Sequence, residues 1–320
     1  MTENPPSRWL LVAAFAAVYL IWGSSYLGIH FAIQTLPPFL MTGMRFVFAG
    51  ALLFGWARLR GTPMPTRANW KAALISGGIL FVLNNGAIVW AEGHGLPSGI
   101  AAVLIATLPM WIVLLTWLRP GGTFPGGIVI AGLIFGFIGI LLLFDLQGNT
   151  LYLPGVVAVL FGAFAWAYGS LYAKNAPLPK STALATGMQL LCGGLLQFAI
   201  AIPTGELASF DPAQVSTVSW LAMLYLAIVS SIIAYSAFAW LMRVTTPTKV
   251  STYAYVNPVV AVFLGWWLAN EPLTPRTLIA AAIIIGSVIM INGYKGKTPL
   301  NRRFRQRLRR HRTEAVKVTP

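Results

Sequence analysis

The sequence predicts an all-α integral membrane protein, with ten transmembrane helices arranged as two inverted five-helix repeats around a central cavity. Three observations predict it. Hydrophobic residues make up 57% of the chain and charged residues 9%, against the roughly 25% charge of a soluble domain, and the mean hydropathy is +0.74. Ten apolar runs long enough to cross a ~30 Å hydrocarbon layer follow one another, with Pro, Gly or charge between them. The last five runs then repeat the landmarks of the first five.

The first run, 8–29, has no small-residue cleavage site after it and reads as a retained helix rather than a signal peptide. It carries Trp22-Gly23-Ser24-Ser25-Tyr26, and the sixth run, 153–173, carries Gly169-Ser170-Leu171-Tyr172 at an offset of 146. The second run, 38–57, contains Thr42-Gly43-Met44-Arg45 and then Gly50, Leu52 and Phe54; the seventh, 183–203, contains Thr186-Gly187-Met188-Gln189 and then Gly194, Leu196 and Phe198, all at an offset of 144. The third run, 70–91, is bracketed by Trp70 and Trp90, and the eighth, 219–242, by Trp220 and Trp240, at an offset of 150. The fourth, 97–118, and the ninth, 248–270, begin on small residues and carry Pro109 and Pro258, which lie 149 apart. The fifth, 125–144, and the tenth, 275–293, share Pro125/Gly136 and Pro275/Gly286, again at 150.

Residues 1–146 and 147–294 therefore read as two copies, followed by a basic tail, 295–320. Each copy holds an odd number of spans, so the second enters the membrane with the opposite orientation, and proline-interrupted helices in matching places of inverted halves are the ingredients of alternating access. Pro109 and Pro258 are the expected hinges, because an internal proline removes one helix hydrogen bond and its ring pushes on the preceding turn.

The net charge of +15 is distributed by side. With the N-terminus inside, every Lys and Arg except Arg45 and Arg276 falls in inside segments, while Glu92, Asp145, Glu206, Asp211 and Glu271 fall outside. The positive-inside rule places both termini in the cytoplasm, and no nucleic-acid partner is expected. The tail from Asn301 to Arg312 sets Phe304, Leu308 and His311 on one helical face among arginines; it reads either as a segment lying on anionic lipid or as a disordered topology anchor. The single cysteine, Cys192, sits in an apolar run and excludes an intramolecular disulfide.

WGSSY in the first run, SGIAAVLIATLP in the fourth, S-x-YAYVNPVVAV in the ninth and the NEPLT after it resemble the drug/metabolite transporter superfamily, EamA-type permeases, over roughly residues 10–293. The resemblance implies a bacterial inner-membrane secondary carrier, often an exporter of amino acids or other small metabolites. It also implies a cavity lined mainly by spans one, three, four, six, eight and nine. One departure is that Glu271 has no counterpart after the fourth span, where the chain reads Arg119-Pro120-Gly121-Gly122, so no paired or coupling role is read for it.

Polar residues within the spans are the candidate substrate contacts. Arg45 lies about eight residues into its span; it is either a functional buried charge or a side chain snorkelling to the interface. Asn84 and Asn85 are mid-span and serve either substrate or a neighbouring helix. Tyr253 and Asn257 share one face of the ninth span and Tyr255 the adjacent one, next to Pro258. Trp22, Ser24, Tyr26, Trp166, Tyr168 and Tyr235 complete the set; the aromatics are either walls for a planar or cationic ligand or interface anchors. Glu92 and His94 read as an exposed outer turn, with proton carriage as the alternative.

No H-E-x-x-H, no phosphate-binding G-x-x-x-x-G-K-[ST] and no carboxylate pair within the membrane is present, so an enzyme, a metal site, a cofactor or ATP-driven pumping is not expected. The function read is a secondary transporter of small metabolites, an exporter of amino acids or related compounds. A multidrug or cation efflux carrier is the alternative, followed by a channel or a membrane-embedded enzyme. The oligomeric state is left open, a monomer being sufficient.

Overall fold

A computed structural model describes residues 7–118, 126–143, 152–245, 250 and 253–293. The basic tail, Arg119, Asp145, Lys249 and the side chain of Tyr255 lie outside the described residues. Among those described, the regular structure is helical: α1 Arg8–Ala32, α2 Pro38–Leu59, α3 Arg67–Gly93, α4 Ser98–Leu118, α5 Gly127–Leu143, α6 Leu153–Asn175, α7 Thr182–Ala201, α8 Thr217–Val244, α9 Tyr253–Ala269 and α10 Pro275–Gly293. Seven of these are long and apolar enough to cross a membrane, and α5, α9 and α10 supply shorter apolar helices.

The helix starts are written locally. Pro38 opens α2, where its missing N–H costs nothing. Thr66 and Asn69 form a reciprocal capping box on α3. Ser181, Ser216 and Thr274 accept from the backbone N–H three residues on, at α7, α8 and α10. Two starts are instead capped across the fold. Glu271 accepts from Ser98 N at 2.8 Å, Ser98 Oγ at 2.6 Å and Gly99 N at 3.0 Å, closing the start of α4. Glu206, on a single helical turn, accepts from Leu40 N at 2.8 Å at the start of α2. Burial pushes the Glu206 carboxyl up, opposed by the N–H groups of Leu40 and Phe39. A negative charge at a helix N-terminus is favourable twice over, through hydrogen bonds and the helix dipole.

The helices pair closely through glycine. The most extensive pairing among the described residues is α2 with α7. A Cβ built on Gly50 would stand 2.6 Å from Leu191 N and 2.8 Å from Gly187 O. One built on Gly194 would stand 2.7 Å from Val47 N and 3.0 Å from Gly43 O. Each residue of the first contact is replaced in the second by the one 144 positions away. Gly132, Gly136 and Gly139 of α5 do similar service against α10, and Gly23 of α1 against Val260 and Asn257 of α9. Small residues are what let helix backbones approach in lipid, where no hydrophobic force drives them together. Large apolar side chains such as Leu52, Phe137, Val259 and Trp267 face outward.

Three helices depart from regular α geometry. In α3 and α8 a π-helical stretch of nine residues intervenes, Gly78–Gly86 and Leu226–Ala234. In α4 the hydrogen-bond ladder lapses at Ala106–Thr107, and Thr107 turns its Oγ1 back to the Leu104 carbonyl at 2.7 Å. Pro109, the expected hinge, follows directly on this lapse: it has no N–H to give the Ile105 carbonyl, and it sits in the first turn of the resumed helix. Pro258 is different, lying within the continuous helix α9.

The α2–α7 contact leads to an expected outcome. Gly50→Ala forces a methyl against backbone that cannot swing aside and should cost about 1–3 kcal/mol. Gly55→Ala, on the same helix with open space beside it, should be neutral or slightly stabilising. Thermal melting of the two detergent-solubilised variants checks the contrast; equal melting would remove the glycine contact from the account.

Candidate functional site

A cavity of about 80 Å³ opens where both π-helical stretches and the α4 break meet α1, α2, α6, α7 and α9. One wall is polar: Ser25, Tyr26, Arg45, Asn84, Asn85, Ser230, Ser231 and Asn257. The other is aromatic: Trp22, Phe46, Phe81, Trp166, Tyr235 and Tyr253. The wider π-helical backbone shows in the side-chain bonds it permits. Asn85 Nδ2 donates to Leu80 O at 3.4 Å and Ser231 Oγ to Leu226 O at 3.0 Å, each five residues back. Such stretches occur mainly at functional sites.

Arg45 dominates the polar wall. It is 5% exposed, and its guanidinium donates from Nε to Ser231 Oγ at 2.9 Å and from Nη2 to Ser230 Oγ at 3.2 Å, while its Cζ lies 4.7 Å from the Phe46 ring centre. Ser230 also accepts from Ser25 Oγ at 2.8 Å. These hydroxyls give the charge acceptors but no counter-charge. The third nitrogen, Nη1, is buried without a partner among the described residues, and so is Asn84 Nδ2. The cavity thus holds two stranded donors. Gln189, 144 positions on from Arg45 in the matching Thr-Gly-Met frame, is partnered at both ends of its amide: it donates to Ser76 Oγ at 2.8 Å and accepts from Tyr235 Oη at 3.3 Å.

The aromatic wall is a partition. Trp22 packs on Trp166, Tyr253 and Phe238 at centroid distances of 5.7, 5.2 and 5.0 Å. Tyr235 sits 5.3 Å from Phe81 and 6.1 Å from Phe238. Behind Tyr235 and Phe238 lies a second cavity of about 340 Å³ whose rim carries Lys174, Lys180 and Arg243. Arg243 is tied to the carbonyls of Lys180 and Pro179. The opposite end of the molecule carries Glu92, Glu206 and Glu271.

Most of the predicted contacts converge here: Trp22, Tyr26, Arg45, Asn84, Asn85, Trp166, Tyr235, Tyr253 and Asn257 all line the cavity. Asn257, with its amide turned to donate, reaches Tyr19 O at 3.0 Å and Tyr253 O at 3.2 Å. Two others do not line it. Ser24 faces α8, where it meets Tyr225 Oη at 2.6 Å, and Tyr168 is 49% exposed on the outer face of α6. Tyr255, by its side chain, lies outside the described residues. Arg45 does not snorkel, since its guanidinium bonds inward to α8. The exposed turn expected around Glu92 is half correct: His94 is exposed, but Glu92 is 6% exposed because α3 runs on to Gly93. Ser25, Ser230, Ser231, Phe46 and Phe81 were not singled out by sequence; adjacent hydroxyls in the middle of the eighth apolar run were the available signal.

The EamA-like transporter family model matches residues 8–145 and again residues 153–293. The chain belongs to the EamA-like transporter family. The uncharacterized inner membrane transporter YedA of Escherichia coli strain K12 is 35% identical over 284 residues, 88% of this chain and 90% of that protein. Protein PecM of Dickeya dadantii is 27% identical over 281 residues, 85% of this chain and 88% of its own length. A Salmonella typhimurium protein named "probable amino-acid metabolite efflux pump" is 24% identical over 298 residues, 87% and 93% of the two chains. A solved crystal structure at 22% identity superposes with a TM-score of 0.61 over 89% of this chain and 98% of its own, a likeness of fold. This EamA-like chain is a multi-pass inner-membrane transporter, not an enzyme.

Ser231→Ala would strand a second guanidinium nitrogen of this EamA-like transporter, and the variant should lose about 1–3 kcal/mol of stability. Ser209→Ala, at an exposed hydroxyl, should lose almost none. Melting temperatures of the two purified variants check this, and similar values would mean that the hydroxyls do not hold the guanidinium.

Proposed function

We propose that this chain is a secondary carrier that exports small carboxylate-bearing metabolites, amino acids or close relatives. It works by alternating access between two inverted five-helix halves, ten spans in all, with both termini in the cytoplasm. One observation carries the substrate class: Arg45 and Asn84 both line the cavity, each keeps a buried side-chain nitrogen without a partner among the described residues, and no carboxylate is among the lining residues. A buried charge of this kind is expensive in a membrane unless something neutralises it. A substrate carboxylate does so in bidentate fashion. The aromatic wall then offers an apolar surface for the rest of the molecule and ring faces for an ammonium group.

The alternative of a cationic drug is disfavoured by the same arginine, which repels a cation at the cavity's polar wall. Amino acids accord with the printed name of the Salmonella relative. The double match of the family model, the reciprocal glycine contacts of α2 and α7 and the paired π-helical stretches support the two-copy reading. The aromatic partition between the central cavity and the basic vestibule supports a gated path rather than an open pore.

Two outcomes are expected. A thermal-shift screen of the purified protein against amino acids should find stabilising ligands, since a ligand that binds the folded state stabilises it in proportion to RT ln(1 + [L]/Kd). Arg45→Lys, which keeps the charge but loses the fork, should weaken that binding by roughly tenfold, about 1.4 kcal/mol, and Arg45→Gln should fold yet not transport. Wild-type affinity in both variants would overturn the carboxylate assignment. For orientation, Ala208→Cys should react with an impermeant thiol reagent applied outside intact cells and Ala68→Cys should not, the native Cys192 being buried. The reverse pattern would invert the topology.

A further inference from the structure

We propose that Glu92 is a proton-carrying site of this transporter, holding a proton while its end of the cavity is closed and giving it to water when that end opens, so that proton movement is coupled to substrate movement. The proposal rests on the carrier reading above. Both Glu92 carboxyl oxygens are buried, and neither has a hydrogen-bond partner among the described residues. The residue occupies the last turn of α3, four residues beyond Ile88 and seven beyond Asn85, which both line the cavity. Those spacings put all three on one helix face. Glu92 therefore stands just past the cavity, on the side away from the basic vestibule.

The other described acids at this end behave differently. Glu206 and Glu271 cap helix starts, and Asp211 accepts from Ala213 N and Gln214 Nε2 at 3.0 Å each. Each has a structural task and donors to match. Glu92 has neither, and it sits at a helix C-terminus, where the helix dipole opposes negative charge. The titratable groups that face it are the Tyr26 phenol from α1 and the Glu271 carboxyl from the α9–α10 turn. Neither supplies a positive charge. His94 is turned away, with Nδ1 2.7 Å from Trp90 O and its ring stacked on Tyr152 at 9°.

A carboxylate so enclosed, without donor or cation, costs several kcal/mol more than the neutral acid. The closed arrangement therefore favours –COOH. Opening this end admits water, which solvates the anion and accepts the proton as hydronium; closing reverses the transfer, with one proton bound and one released per cycle. The carboxyl is thereby a neutral group in one arrangement of the helices and a charged one in the other, which is what linkage between proton binding and conformation requires.

The variant that tests this is Glu92→Gln, which keeps the shape of the neutral acid and so should fold. Infrared spectroscopy of the purified full-length protein at neutral pH should show a protonated-carboxyl carbonyl band in wild type that is missing from Glu92→Gln. No such band in wild type, or a band that persists in the variant, overturns the proposal. In proteoliposomes given a radiolabelled mixture of amino acids, Glu92→Gln should retain exchange across the membrane but lose accumulation driven by an imposed pH gradient. Glu206→Gln should retain both. Gradient-driven accumulation in Glu92→Gln overturns the coupling, and so does loss of exchange together with accumulation. Absence of exchange in wild type would strike the carrier reading instead; the infrared result, which needs no substrate, then decides whether Glu92 holds a proton.

Discussion

A guanidinium held near the middle of a helical bundle, supplied with hydroxyls but no carboxylate, is the constraint on which the rest of this structure turns. From where α2 places it, the Arg45 guanidinium bonds to hydroxyls of α8 and to no rim acid among the described residues. Ser230 and Ser231 are adjacent in sequence, and adjacent residues on a regular α-helix point about 100° apart. The π-helical stretch that contains them lets both hydroxyls address one side chain. The matching stretch in α3 presents Asn84 and Asn85 to the same space. Local departures from α geometry are thus concentrated around the charge, while the glycine-paired helices behind them stay regular.

Much of the architecture was legible in the chain because membrane solvent simplifies the reading. Apolar runs announce helices, and charge announces sides. Gly43, Gly50, Gly187 and Gly194 were legible as landmarks of a repeat, and the structure brings all four into one contact between α2 and α7. What stayed hidden depended on rotation and on bond register. Ser24 and Ser25 are equivalent as letters, yet only the second faces the cavity. Tyr168 and Trp166 are two residues apart and face opposite ways. The break in α4, by contrast, lies directly before Pro109, the proline that the chain marks there. Glu92 was read as a loop residue because charge near Gly and Pro usually is; an extra turn of α3 buried it.

The two ends of the molecule are closed by different physics. At the basic end, rings of Trp22, Phe81, Tyr235 and Phe238 form a partition held by dispersion and edge-to-face contact, interactions that slide and re-form with little penalty. At the acidic end, the carboxylates of Glu206 and Glu271 hold the starts of α2 and α4 by short, charge-assisted hydrogen bonds, which are directional and sensitive to salt. One end is suited to yielding to a passing molecule, the other to holding until something displaces a charge.

The reciprocal contacts of α2 and α7 are those of an isologous interface, in which one residue meets a second and the equivalent of the second meets the equivalent of the first. A pair of identical short chains is obliged to make such an interface, and it would then place the same residue at positions 45 and 189, either two guanidinium groups crowding one centre or none. On the proposed two-copy reading, one continuous chain is free of that obligation. Arginine at one position and a bonded glutamine at the other is an asymmetry that a single chain permits and a pair of identical chains does not.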